Sequence, residues 1–283
     1  MSLSLGTRAR RSVIPGFRLS LGLTLTYLVL IVLLPIGALL LKAADVGLER
    51  YIAIITSPRT LAAFRVTFTT AALATAFNAV YGFALAWVLV RYQFPGKRLL
   101  DALVDVPFAL PTAVAGLALA TLFAKNGWFG APLWSLAGIE VAYAPAGIAC
   151  AMAFTSIPFV VRTVQPVLED LEPELEEAAA TLGASDGQTF RRVIFPALFP
   201  AFLAGASLAF ARSLGEFGAV VFIAGNQPFR TEIVALLTYI RLEEYDYAAA
   251  AAIATTLLAI AFVMLLVVNV IQAWHQRHGV GED

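Results

Sequence analysis

The sequence predicts an all-α, polytopic membrane protein with six transmembrane helices, and three observations carry that prediction. Of its 283 residues 60% are hydrophobic and 13% charged, with a mean hydropathy of +0.83, which is the composition of a chain that lives in lipid. Apolar runs recur at roughly the 20 residues that a ~30 Å hydrocarbon core demands of a helix. Hydrocarbon offers no partner to a peptide group, so each run must close its own backbone hydrogen bonds.

Taken in order, the runs lie at 19–41, 66–90, 103–123, 142–164, 197–219 and 248–273. The first exceeds the usual apolar length of a signal peptide, and Leu41-Lys42-Ala43-Ala44-Asp45 makes a weak cleavage site, so it reads as a retained span. Pro107 and Pro111 in the third and Pro158 in the fourth each remove a backbone hydrogen bond and should bend their helices. The fifth is too long for one untilted crossing: Val193 to Ala224 as continuous helix would reach ~48 Å, so a kink or break is expected around Gly215 and Gly218. The chain thus divides into an N-terminal segment 1–18, a six-span domain 19–273 containing a polar loop 168–196, and a tail 274–283.

Basic residues orient the spans. The side holding both termini would carry Arg8, Arg10, Arg11, Arg18, Arg91, Lys97, Arg98, Arg162, Arg191, Arg192 and Arg277, eleven against seven on the other face, which predicts cytoplasmic termini and a cytoplasmic polar loop. Asp105 falls near the cytoplasmic end of the third span. The 19 basic and 19 acidic side chains balance, and no basic tract is interleaved with aromatics, so no nucleic-acid partner is expected. Cys150 is alone, and His275 and His278 lie in the tail, so neither a catalytic Cys/His pair nor a metal site is expected. No G-x-x-x-x-G-K-[ST] occurs, so this chain should not cradle nucleotide phosphates.

The polar loop contains "EEAAATLGASDGQTFRRVIFP", residues 176–196. Pro173 suits a first helical turn, Glu174, Glu176 and Glu177 place negative charge at the positive end of the helix dipole, and Ala178, Ala179 and Ala180 propagate the helix. Gly183 should cap it, and Ser185 with Gln188 has capping-box spacing for a second helix leading into the fifth span. The outcome is helix, sharp turn, helix. Its small alanines would let another protein approach closely; a solvated connecting loop is the plainer alternative.

Glu177-Ala178-Ala179, three residues, Gly183, nine residues, then Val193-Ile194-Phe195-Pro196 resembles the EAA loop of ABC-importer membrane subunits, with Val193 and Phe195 replacing the pattern's Ile and Leu. The stretches 101–123, 152–184, 213–226 and 241–250 extend the likeness to the T-type permease subunits of sulfate/thiosulfate importers. That resemblance implies a type I importer permease (MetI-like) in a bacterial inner membrane, with a coupling helix docking on a separate ATPase through Glu177, Ala178, Ala179, Gly183 and Pro196. It implies as partners two copies of that ATPase, a second homologous permease subunit of W type, a periplasmic sulfate- or thiosulfate-binding protein and membrane lipid. It implies transport by alternating access, no enzymatic activity and no cofactor in this chain; ATP and Mg belong to the ATPase. Molybdate or tungstate import, or an ATP-independent anion channel, are the alternatives.

Polar groups within spans supply candidates for the path, because hydrocarbon penalises them unless they face a bundle interior or a cavity. Arg212 and Glu216, four apart on one helix face, are either a packing pair or a gate or anion-path element. Ser213 lies beside them. Asn78, Thr112, Thr155 and Ser156 could give neutral hydrogen bonds to an oxyanion, or could glue helices together.

Overall fold

A computed structural model describes residues 17–279, with side chains placed for Phe17 and residues 19–270. Residues 1–16 of the expected N-terminal segment, residues 280–283 of the expected 274–283 tail, and the side chains of Arg8, Arg10, Arg11, Arg18, His275, Arg277 and His278 therefore lie outside the described residues. Among the described residues there is helix and no strand. Five helices among the described residues are long and apolar enough to cross a membrane.

The first crossing is α1 (Phe17–Tyr27), a π-helical stretch Leu28–Leu33, and α2 (Leu34–Ala44). It buries almost nothing and touches the body of the protein along one late helix. After the short α3 (Leu48–Ile55), Ser57 caps α4 (Pro58–Arg91): its Oγ accepts the Thr60 N–H, and Pro58, which has no N–H to satisfy, occupies the first turn. The buried stripe of α4 runs Thr60, Ala63, Thr67, Thr70, Ala71, Ala74, Asn78, Gly82, Ala86. These small residues at three- and four-residue spacing let neighbouring backbones close in, as expected where lipid gives no hydrophobic drive to helix pairing. A Cβ at Gly82 would meet Val160 Cβ at 3.0 Å. The neighbours are α9 (Pro145–Glu169) and α12 (Phe195–Leu214), and these three helices form the core.

The third predicted span is corrected. Instead of one helix over 103–123 the chain makes α5 (Lys97–Val104), α6 (Val106–Ala109) and α7 (Thr112–Phe123). Pro111 forces Leu110 into extended backbone (ψ 134°), and Asp105 turns outward to an arginine, so the proline that was expected to bend the helix ends it. At twelve residues α7 is ~18 Å long, short of the ~30 Å core. Beyond α8 (Gly130–Ala137) and α9, the polar loop holds α10 (Pro173–Thr181) and α11 (Asp186–Thr189), then a π-helical stretch Phe190–Ile194 leads into α12. Pro196 has no N–H to offer a carbonyl four residues back, and the wider pairing, Phe195 N–H to Phe190 C=O, precedes it.

The expected break in the fifth span is present. Helix stops at Leu214, Gly215–Phe217 are unwound, and α13 (Gly218–Ile223) restarts it. The chain returns through α14 (Val234–Glu243) to the last crossing, α15 (Tyr247–Gly279), which also supports α2.

Candidate functional site

The polar loop is built as its chemistry requires. Glu172 is the N-cap of α10 with Pro173 behind it, and Glu174 and Glu176 occupy the first turn. Gly183 adopts φ +81°, which a side chain would resist. Gly183 N–H reaches Ala180 C=O at 2.9 Å and Ala184 N–H reaches Ala179 C=O at 3.0 Å, the paired bonds of a Schellman cap. Ala179 therefore serves the turn as well as the helix. Gln188 Oε1 accepts the Ser185 N–H at 2.9 Å, fixing the start of α11. Glu177 and Ala178 are exposed, Glu177 without an ion-pair partner among the described residues, and exposed Leu175 and Leu182 flank Ala178 at helical spacing. Pro196 is also exposed.

Two features anchor this loop, and neither was foreseen. Glu176, one residue before the motif glutamate, pairs with Arg91 at the end of α4, whose guanidinium also lies over the Trp87 ring at 5.5 Å. Behind them, Phe83, Trp87, Phe190, Phe195 and Phe202 make a chain of edge-on ring contacts at 5.5–6.2 Å. The pairing of Glu176 with Arg91 spans 85 residues and carries no local signal in the sequence.

In the spans, the candidates separate into two groups. Asn78 is fully buried, and its Nδ2 donates to Ala153 C=O at 2.9 Å and to Ser156 Oγ at 2.8 Å. Ser213 Oγ lies 2.8 Å from Ala209 C=O and 3.1 Å from Ser156 Oγ, which share its one proton. Asn78, Ser156 and Ser213 thus join α4, α9 and α12 as interhelical glue. Thr155 is buried beside them and bonds only its own helix, to Met152 C=O at 3.3 Å.

The second group surrounds the two broken helices. Thr112 begins α7, Gly218 begins α13, and a Cβ on Gly218 would come within 2.1 Å of Thr112 Oγ1. Gly116 likewise lies against the Ala219 backbone, where a Cβ would meet the carbonyl oxygen at 2.3 Å. Glycine here is required by close approach, and it places the two breaks side by side. Within the second, Arg212 Nη1 approaches Glu216 Oε2 at 2.7 Å, off the axis of a hydrogen bond and held by charge, while Glu216 Oε1 accepts the Ala219 N–H at 2.9 Å. Glu216 is 1% exposed, so one carboxylate both neutralises Arg212 and caps α13.

Sequence reasoning also missed three further contacts. Glu232 is 1% exposed and receives Arg59 through a two-point fork, Nε to Oε2 at 2.9 Å and Nη2 to Oε1 at 2.6 Å. Arg162 of α9 engages Asp105, Asp101 and Gln165 at 2.6–2.8 Å. Tyr239 packs against Phe217 in a tilted ring contact with centroids 5.4 Å apart, and its hydroxyl donates to Glu243 at 2.7 Å, which holds that phenol above its ordinary pKa. Among the described residues no cluster could hold a metal ion.

Residues 79–278 match the family model described as "Binding-protein-dependent transport system inner membrane component". The chain belongs to that family. The "Sulfate transport system permease protein CysT" of Salmonella typhimurium is 54% identical over 271 residues, covering 96% of this chain and 98% of the relative. Its counterpart of the same name in Escherichia coli is also 54% identical over 271 residues, and that of Synechocystis is 51% identical over 255 residues, covering 90% of this chain and 89% of the relative. Among solved structures, a bacterial ABC transporter involved in the import of alginate superposes with a TM-score of 0.75 at 15% identity, covering 94% of this chain and 97% of the other. The MetNI methionine transporter superposes with a TM-score of 0.57 at 17% identity over 74% of this chain and 93% of the other. The MetI-like permease fold follows, and the chain is a multi-pass membrane transport subunit, not an enzyme.

Proposed function

We propose that this chain is one of two permease subunits of an ATP-driven importer that carries sulfate or thiosulfate across a bacterial inner membrane by alternating access. The observation that carries the reading is identity of 54% across almost the full length of two sulfate-system permeases. The geometry of the polar loop supports it independently: a rigidly capped helix presents unpaired Glu177 and an alanine face outward, the arrangement a separate ATPase could grip. Glu177, Ala178, Ala179, Gly183 and Pro196 are assigned to that coupling contact. A second, W-type permease subunit, two ATPase copies and a periplasmic binding protein complete the assembly, and both termini lie in the cytoplasm.

Arg212 and Glu216 are assigned to a gate in the path, with Thr112 beside them and Ser213, Thr155, Ser156 and Asn78 behind. An unwound segment holding an ion pair can rewind or swing at low cost, because its backbone is not committed to helix.

The test is uptake of labelled sulfate, thiosulfate and molybdate in cells lacking this chain, and in vesicles holding the reconstituted complex with and without ATP. Sulfate or thiosulfate uptake that requires both this chain and ATP is expected. Restoration of molybdate uptake alone would replace the substrate, and sulfate flux without ATP would replace the importer by a channel.

A further inference from the structure

The coupling helix and the Arg212–Glu216 break lie at opposite ends of α12, and two routes connect them. The direct route runs along α12. It is a poor lever: a π-helical stretch precedes it, Pro200 interrupts its hydrogen bonding, and it unwinds at Gly215. The second route is α4. Its 34 residues contain no proline beyond the first turn and span ~51 Å at 1.5 Å per residue.

Both ends of α4 are pinned to other parts of the chain. At the cytoplasmic end Arg91 holds Glu176 of the coupling helix. At the far end Arg59 grips buried Glu232, just before α14, and Thr67 Oγ1 accepts the Val234 N–H at 2.9 Å at the first turn of α14. Ala63, between Arg59 and Thr67, packs in one cluster with Val234 and Leu237. A planar guanidinium bound at two points fixes rotation as well as distance, so α14 must follow α4. Five residues beyond Val234, Tyr239 packs its ring, tilted by 50°, against Phe217, which is part of the unwound segment and next to Glu216.

We infer that α4 and α14 together carry the motion of the coupling helix to the Arg212–Glu216 break. The links are Glu176–Arg91, the rod of α4, Arg59–Glu232 with Thr67–Val234, and Tyr239–Phe217. The inference rests on the permease reading above. Arg59, Glu232 and Glu176 are positioning residues in it, remote from the transported ion.

The experiment uses the complete complex in vesicles, with Cys150→Ala and a reporter Gly215→Cys in this chain. Gly215 has φ −89° and is exposed, and a Cβ there meets only Arg212 C=O at 3.9 Å, so the reporter is accommodated. The measured quantity is the rate of modification by an impermeant thiol reagent, without nucleotide and with ATP plus vanadate. We expect ATP to change that rate by about tenfold in the parent, and by less than about twofold once Glu232→Gln or Glu176→Gln is added, with ATP hydrolysis retained. Exchange of the pair, Arg59→Glu with Glu232→Arg, should recover the response. Because Glu176 lies at the cytoplasmic surface, Glu176→Gln carries the test if Glu232→Gln does not assemble.

A full ATP-dependent change in an assembled Glu232→Gln or Glu176→Gln complex overturns the relay. So does the absence of any change in the parent, and so does loss of assembly in both variants, which would make the contacts scaffolding. A parent that shows the change, and variants that lose it, support the relay even where sulfate is not transported; that combination overturns the substrate reading alone.

Discussion

Gly183 sits at φ +81° with no heavy atom within 4 Å of where a Cβ would be, so a side chain there meets no neighbour and only the backbone objects. Gly183→Val should add about 1–3 kcal/mol of local strain, redirect Ala184 and Ser185, and loosen the Schellman cap while the spans still insert. ATPase co-purification should fall, and Gly183→Asn, which tolerates that region better, should restore most of it; unchanged co-purification of the valine variant counts against the coupling role. Glu216 asks for a subtler substitution. Its carboxylate serves Arg212 on one oxygen and the Ala219 N–H on the other, so replacing it by leucine strands a backbone donor whatever its transport role. Glu216→Gln keeps the acceptor. Arg212→Met alone leaves a buried carboxylate uncompensated, on the order of 3–5 kcal/mol for a fully buried pair and less here because Arg212 is 31% exposed. Arg212→Met with Glu216→Gln removes both charges and should assemble. If the pair belongs to the gate, that double variant hydrolyses ATP but moves little sulfate; normal uptake would leave the pair a packing device.

At the scale of elements, sequence and structure agree where local chemistry decides. The caps of α10, the start of α11 and the break at Gly215 were all legible, because each depends on residues within a few positions of one another. The third span was not. Its hydropathy is continuous, and periodicity does not distinguish a bend at Pro111 from a termination there; the structure shows the stop at Leu110, extended before Pro111, and a separate junction at Asp105, which reaches Arg162. Likewise Arg59 and Glu232 look like ordinary interfacial charges until the fold brings them together over 173 residues. Asn78 illustrates the opposite case, a group whose chemistry suits an oxyanion but whose donors are already spent on Ala153 and Ser156. Asn78→Ala should therefore weaken the packing of α4 on α9 and α12 by about 1 kcal/mol, as interhelical hydrogen bonds in lipid usually do. A lower unfolding midpoint in detergent, with an unchanged ratio of sulfate to thiosulfate uptake, is the expected result; a changed ratio would place Asn78 in the path.

For the molecule as a whole, the proposed mechanism requires that α10 face the compartment that supplies ATP. The side chains that argue for this orientation are unevenly informative. Arg191 and Arg192 are exposed where the chain enters α12, whereas Arg162 is saturated by acidic partners and Arg8, Arg10 and Arg11 lie outside the described residues. The structure provides a sharper geometrical test than a charge count. From Asp186 to Leu214 helix runs over 29 residues, ~44 Å at 1.5 Å per residue and long enough to cross a ~30 Å core, so the proposed topology puts the turn before α11 and the loop after α13 on opposite faces. Ser185 is exposed in the first. In the second, Asn226 is a poor place for a reporter, because it holds φ +44° and its Oδ1 is buried; Arg230 is exposed and its guanidinium donates to Gln227 Oε1. With Cys150→Ala as background, Ser185→Cys should react with an impermeant thiol reagent only from the cytoplasmic face, and Arg230→Cys only from the other. Reversed labelling would place α10 away from ATP, and no arrangement of Glu177, Gly183 or the α4 contacts could then couple hydrolysis to transport.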